Sequence, residues 1–264
     1  MGWDTILYEK RNGVATLTLH RPAAYNAFTE MMNKEMIRAL KQASRDKEVR
    51  AIVITGSGKA FCAGQDLEGV DETTNHAAFL RERYHPMMKE LKKTPKPIIA
   101  AVQGVAAGAG MSLALGCDFR IVQEQTKFVP AFMHIGLIPD SGFLYVLPRL
   151  VGYAKALEIA TIGKPITGEE AVELGLATEW IEAAFWEEQV IAFAEQLAAL
   201  PTTAFGLVKR YMMDGMHMPY DAMLEAEAQA QRIAGLSNEH REGMLAFEEK
   251  RKPNFSGSES GGKR

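Results

Sequence analysis

Along this chain the spacing of apolar residues predicts a repeating order of strands and helices. In "TILYEKRNGVATLTL" (Thr5 to Leu19) two β-rich runs flank Arg11-Asn12-Gly13, and Asn-Gly between such runs predicts a hairpin. The next stretch, "TEMMNKEMIRALKQASRD", sets Met32, Met36, Ala39 and Leu40 at helical spacing behind a Thr29 cap. "VRAIVITGSG" follows as an all-apolar strand that ends in a glycine loop. A second round begins with a mixed polar helix from about Ala77 to Lys93 and continues with the strand "PIIAAVQG", which again ends in a glycine loop. Unbroken Val, Ile and Ala strands alternating with helices predict an α/β fold whose sheet is covered on both faces.

After residue 150 the strand signal fades. "AKALEIATIG", "TGEEAVELG", "EEQVIAFAEQLAAL" and "TAFGLVKRYMMDGM" read as helices, with "ATEWI" as one short strand. A boundary is placed at Pro201, dividing a core domain (1–200) from a helical C-terminal region (201–264) in which Thr202 and Thr203 cap the first helix. The Gly/Ser-rich end, "SGSESGGKR", predicts a frayed tail. One segment, Pro97 to Gly116, has the length of a membrane span. Its opening proline, its Gln103 and Ser112, and its Gly104, Gly108 and Gly110 suit a buried strand, a tight turn and a buried helix instead.

Composition narrows the function. The 264 residues, 47% of them hydrophobic and 24% charged, suffice for a large covered core and exclude a disordered chain. Thirty Lys and Arg against 33 Asp and Glu give a net charge of −3. That balance offers no general attraction to nucleic acid or anionic membrane. Cys62 and Cys117 are too few for a disulfide framework, and "MGWDTILYEKRNG" has neither the basic nor the apolar region of a secretion signal. A cytoplasmic location is the expectation.

The two glycine loops, "GSGKAFCAGQDL" (Gly56 to Leu67) and "GVAAGAGMSLAL" (Gly104 to Leu115), each leave a buried strand. The second has Leu113 where a dinucleotide fingerprint needs its third glycine, and it lacks the Lys and Ser/Thr of a phosphate-binding loop. Either the glycines serve close strand-helix packing, or the loops present backbone N–H groups at the start of a helix near Ala109. Two such donors from two loops can hold an oxyanion. A single carboxylate, Asp140, stands in the apolar run "HIGLIPDSGF". It is a turn residue if exposed and a candidate base if buried.

These stretches resemble the crotonase, or enoyl-CoA hydratase/isomerase, superfamily. The resemblance is carried by "LHRPAAYNAF", "GSGKAFCAGQDL", "KPIIAAVQGVAAGAGMSLALGCDFRI", "FVPAFMHIGLIPDSG", "LPRLVG" and "ITGEEAVELGLATE", in family order along nearly the whole chain. It implies a spiral ββα core, a helical C-terminal region used in forming a homotrimer or dimer of trimers, and an acyl-CoA thioester substrate. No metal or further cofactor is implied, coenzyme A being part of the substrate. By position the oxyanion hole falls to the N–H groups of Gln65 and Ala109.

The two glutamates with which family hydratases handle water correspond here to Ser112 and Phe132, neither of which is a general base. The acid stands instead at Asp140, similar to the ring-epoxide acyl-CoA isomerases of phenylacetate degradation, so the resemblance implies single-carboxylate isomerisation of a double bond or ring epoxide. The chlorobenzoyl-CoA dehalogenases of the family also place an Asp here, as nucleophile, and a His at the position of His85. They hold the Asp with a Trp where this chain has Phe132. Enoyl-CoA hydration, dehalogenation, and non-catalytic binding of acyl-CoA or RNA remain the alternatives, with the absence of a basic stripe against RNA. Ala24, Ala63, Asp66 and Leu67, with Ala23 and Asn26, are implied to flank coenzyme A, and His85 and Phe132 to meet substrate or to pack. Phe132, Met133 and Phe143 are expected around the acyl group, and His134 in a structural role. Arg21, Lys59, Lys250 and Arg251 are phosphate candidates or solvated charges, and Phe247 and Phe255 either cover the ligand or pack helices.

Overall fold

The computed structural model describes residues 2–68, 71 and 73–256. Strands β1 (Ile6–Arg11) and β2 (Val14–Leu19) form the expected hairpin, with Asn12 and Gly13 both at positive φ as a tight two-residue turn demands. Helix α1 (Glu30–Arg45) starts where Thr29 accepts the N–H of Met32. Next come β3 (Ala51–Gly56) and β4 (Ala60–Cys62), then α2 (His76–Phe79) and α3 (His85–Lys93). The expected continuous helix from 77 to 93 is interrupted by a π-helical turn at Leu80–Tyr84. The reason lies at Pro86, which has no N–H to continue the ladder.

The chain continues through β5 (Ile98–Val102), β6 (Val105–Ala107), α4 (Ala109–Gly116), β7 (Phe119–Gln123), β8 (Lys127–Val129), α5 (Phe143–Val151) and α6 (Tyr153–Ile162). Pro97 to Gly116 is thus strand, turn, strand and helix. Among the described residues no single helix is long and apolar enough to cross a membrane. After β9 (Ile166–Thr167), α7 (Gly168–Glu173) and β10 (Glu179–Ile181), the remaining elements are α8 (Trp186–Ala198), α9 (Thr202–Gly215), α10 (Tyr220–Gly235) and α11 (Asn238–Glu248).

The strands build two sheets, one ordered β1-β2-β3-β5-β7-β10 and one ordered β4-β6-β8-β9. Each of the pairs β3/β4, β5/β6 and β7/β8 gives one strand to each sheet before the chain turns helical, which is the expected ββα spiral. Within the larger sheet all pairings are parallel except β1 with β2. Parallel strands buried on both faces explain the unbroken apolar runs. Along β5, Ile98, Ala100 and Val102 enter the core beneath α1, α3 and α4, while Ile99 and Ala101 enter a second core beneath α8.

One buried and one half-buried ion pair fasten the C-terminal helices to this body. Arg50, at the entry to β3, donates to the carbonyls of Ala198 (2.7 Å) and Leu200 (2.9 Å) and meets Glu239 of α11 at 3.4 Å. Lys209 of α9 pairs with Asp118 at 2.8 Å. The start of α9 departs from expectation: neither threonine hydroxyl caps it. The Glu239 carboxylate accepts the N–H groups of Thr202 (2.7 Å) and Thr203 (2.8 Å) instead. A carboxylate held there also opposes the positive end of the helix. Replacing Glu239 with Ala removes the buried carboxylate that two helix donors share and that is one of several partners of Arg50. The expected cost is about 3 kcal/mol or more, read as a lower urea midpoint at unchanged m-value.

Candidate active site

Close backbone approach brings the two glycine loops together. A Cβ on Gly110, in the first turn of α4, would lie 2.3 Å from the carbonyl of Cys62, so only glycine lets the helix start against β4. A Cβ on Gly64 (φ +98°) would lie 2.9 Å from the Ala107 carbonyl and 3.5 Å from the Ala109 nitrogen. The first loop is also fixed from the other side. Phe28 donates to Gly64 O (2.7 Å) and accepts from Asp66 N (3.0 Å), a parallel bridge that leaves the intervening Gln65 N–H out of the ladder. Ala109 is the first residue of α4, so its N–H has no intrahelical acceptor. Two amides outside any ladder or helix bond therefore stand in adjoining loops.

Asp140 lies in the loop before α5, tied to α4 through its backbone carbonyl. The residue is half-buried between Pro139 and Ser141, and its carboxyl is raised above the usual range by burial. A hydrogen bond from Ser141 and the charges of His85 and His76 oppose that shift. The Ser141 hydroxyl donates to Asp140 Oδ1 at 2.8 Å. Ser112, three residues after Ala109 and 1% exposed, donates its hydroxyl to the Asp140 backbone carbonyl at 3.0 Å. Phe132 is buried edge-on against Phe143 at 5.8 Å between centroids, and its ring end faces Gly108. The positions at issue thus hold one carboxylate, a hydroxyl already engaged and an apolar ring.

The other expected residues divide. Ala24 ends a 3-10 turn (Pro22–Ala24), and Ala63 N–H donates to Tyr25 O at 2.9 Å, so these two loops adjoin. The fully buried Asn26 joins them further, donating to Ser57 O and Ala60 O. Asp66 is half-buried and Leu67 exposed. Met133 is 44% exposed, and the His134 ring packs beside Gly163. His85 is exposed at the start of α3 and lines a surface groove with Lys41 and Lys89; it reaches Asp140 through its field. Two phosphate candidates already face carboxylates. Arg21 is committed to Asp66 (2.8 Å) and to the Ala27 carbonyl, and Arg251 to Glu242 and Glu249. Lys59 and Lys250 are exposed. Phe247 is 82% exposed and Phe255 packs against Gly243. A cleft of about 860 Å³ opens between α8 and the larger sheet. Of the candidate residues it is lined by Lys59 alone, so it is separate from Asp140.

Three residues went unread in the sequence. Ser141 stands beside Asp140 in "PDSG" and was open to notice as a hydroxyl next to a candidate base. Tyr84, 2% exposed, comes from the π-helical turn and donates to Gln65 Oε1 at 2.6 Å, holding the side chain of the oxyanion-hole candidate. No sequence spacing announces that contact. His76 lies in a polar run, where nothing distinguishes it.

The model of the enoyl-CoA hydratase/isomerase family matches residues 9–258. The chain belongs to this family. A Rhodobacter capsulatus protein named "Probable enoyl-CoA hydratase" is 43% identical over 97% of this chain and 100% of its own length. The 1,2-epoxyphenylacetyl-CoA isomerase of Escherichia coli is 40% identical over 96% of this chain and 99% of its own. A crystal structure of an enoyl-CoA hydratase subunit from Geobacillus kaustophilus superposes with a TM-score of 0.90 at 30% identity, covering 96% and 98% of the two chains. The two-sheet spiral is therefore the crotonase fold, and the chain is a hydratase/isomerase-family enzyme for acyl-CoA chemistry. Two outcomes follow for a family enzyme with this site. Ser141→Ala removes the bond that lowers the Asp140 pKa, so the acidic limb of its kcat/KM profile shifts to higher pH. Gly64→Ala forces an L-residue into positive φ beside the Ala109 amide; if these amides serve as oxyanion donors, turnover falls on the order of 10²-fold, the worth of one donor.

Proposed function

We propose that this enzyme is an acyl-CoA isomerase in which Asp140 carries the proton. The observation that supports this most directly is the use of Ser112: its hydroxyl is occupied by the Asp140 carbonyl. Together with the apolar Phe132, this leaves neither of these two positions with a base to activate water. In the proposed reaction the thioester oxygen accepts the N–H groups of Gln65 and Ala109. Asp140 removes a proton from the carbon next to the thioester carbonyl, the electron pair moves into the enolate held by the two amides, and the same carboxylic acid returns the proton at another carbon. For a 3-enoyl thioester the double bond moves toward the carbonyl. Burial raises the basicity of Asp140 and so suits a group that must both take and return a proton. Phe132 and Met133 line the acyl group in this reading, with the fully buried Phe143 packed against Phe132, which favours bulky or ring-containing substrates. Coenzyme A lies along Ala24, Ala63, Asp66 and Leu67.

His85 gives dehalogenation a place as the second reading, since its charge acts on Asp140. Against it, the hydrogen bond to the carboxylate comes from Ser141, and Phe132 offers none. Initial rates on 3-enoyl-CoA, ring-epoxide-CoA, 2-enoyl-CoA in water and 4-chlorobenzoyl-CoA separate the chemistries. Isomerisation is expected to be fastest. Faster hydration, or chloride release abolished in His85→Ala, would sink the proposal.

Asp140→Asn is expected to lower isomerase turnover on the order of 10²–10⁴-fold. It should also raise thermal stability at neutral pH. A carboxyl whose folded pKa is raised favours folding while protonated and loses that contribution as pH climbs through the folded pKa, so its ionised form opposes folding at neutrality. A neutral amide removes that opposition.

The same reading includes a homotrimer or dimer of trimers. Helices α9 and α10 bury no residue fully and, with the turn between them, leave Met212, Met216, Tyr220 and Leu224 exposed, apolar surface suited to copies of the chain. Light scattering tests this; an active monomer would refute it.

A further inference from the structure

Ser112 lies in "GAGMSLALG", a helix whose other residues are glycine or apolar and which is buried along nearly all its length. In such a helix a serine hydroxyl ordinarily returns to the carbonyl four residues back. That acceptor, Gly108 O, is 3.3 Å away, whereas the Asp140 carbonyl, 28 residues on, is at 3.0 Å. The loop needs a restraint at that point. Asp140 is followed by Ser141 (φ +55°) and Gly142 (φ +88°), two successive left-handed residues outside regular structure, and among the described residues the backbone donor to its carbonyl is Phe143 N–H at 3.0 Å. Ser112 also sits one helical turn beyond Ala109. Its bond therefore joins the loop that bears the carboxylate directly to the helix that bears an oxyanion donor.

We propose that Ser112 is a positioning residue, which sets the reach of the Asp140 carboxylate to the carbon beside the thioester carbonyl. This deepens the single-base reading and rests on it. Labour is then divided between two serines: Ser112 fixes where the base stands, and Ser141 adjusts how strongly it holds a proton. A displacement of about 1 Å of a reacting group costs rate and leaves substrate affinity largely intact.

The test compares Ser112→Ala and Ser112→Thr, each alone and with Asp140→Asn, using a 3-enoyl-CoA substrate, with deuterium exchange at its α-carbon as a second readout. For Ser112→Ala the expected result is a roughly tenfold or greater fall in kcat and in exchange. KM and the apparent pKa of the acidic limb stay at the wild-type values. Ser112→Thr, which keeps the hydroxyl, recovers most of the rate. In the Asp140→Asn background Ser112→Ala has no further effect. If circular dichroism shows that the alanine variant does not fold, Ser112→Cys, of similar volume and a weak donor, takes its place. An unchanged kcat in a folded Ser112→Ala, or a loss that persists without the Asp140 carboxylate, overturns the positioning role while leaving the single-base reading intact. Full activity of Asp140→Asn alone overturns that reading instead.

Discussion

The contact on which the rest of the site depends is backbone against backbone, where α4 starts against the end of β4. Gly110 and Gly64 permit it because a single methyl at either position would meet a peptide group at 2.3 or 2.9 Å. From that approach follow the adjacency of the two loops, the proximity of Gln65 to Ala109, and the direction in which α4 points its free amides. A helix kept further off by side chains would leave the donors facing different volumes. The apolar cores on the two faces of the larger sheet serve this contact by fixing where β3 and β5 end.

Around it, buried polar side chains act as ties between segments distant in sequence. Asn26 holds the N-terminal loop to the β3/β4 connection, Tyr84 holds Gln65, and Ser112 holds the Asp140 loop. Arg50 and Glu239 do the same for the C-terminal helices. Each satisfies groups that would be costly if buried without partners, so each tie specifies one arrangement of a loop that its own backbone leaves underdetermined.

Much of this was legible from residue order. The hairpin, the cap at Thr29, the apolar strands with their glycine loops and the position of Asp140 all rest on local signals: turn chemistry, period and the odd carboxylate in an apolar run. What escaped the sequence is long-range or relational. The break at Leu80–Tyr84 comes from the missing N–H of Pro86 within a segment of good helical period. The cap of α9 comes from Glu239, 37 residues beyond Thr202, although two threonines stand at the helix start. The pairing of Arg21 with Asp66, 45 residues on, likewise has no local signal. Partner choice among charged groups depends on the fold, and no spacing rule encodes it.

Main-chain donors have a consequence for mutational mapping. Position 109 is already alanine, and truncating Gln65 to alanine would leave its N–H in place. A scan that removes side chains would therefore pass over the oxyanion-hole candidates and report their surroundings: Asp140, Tyr84, Ser112. A hole built from these amides would respond to added atoms, so the informative experiment is the reverse scan, growing side chains at Gly64, Gly108 and Gly110. Substitution tolerance at 65 and 109 would say little about whether those amides take part in the reaction.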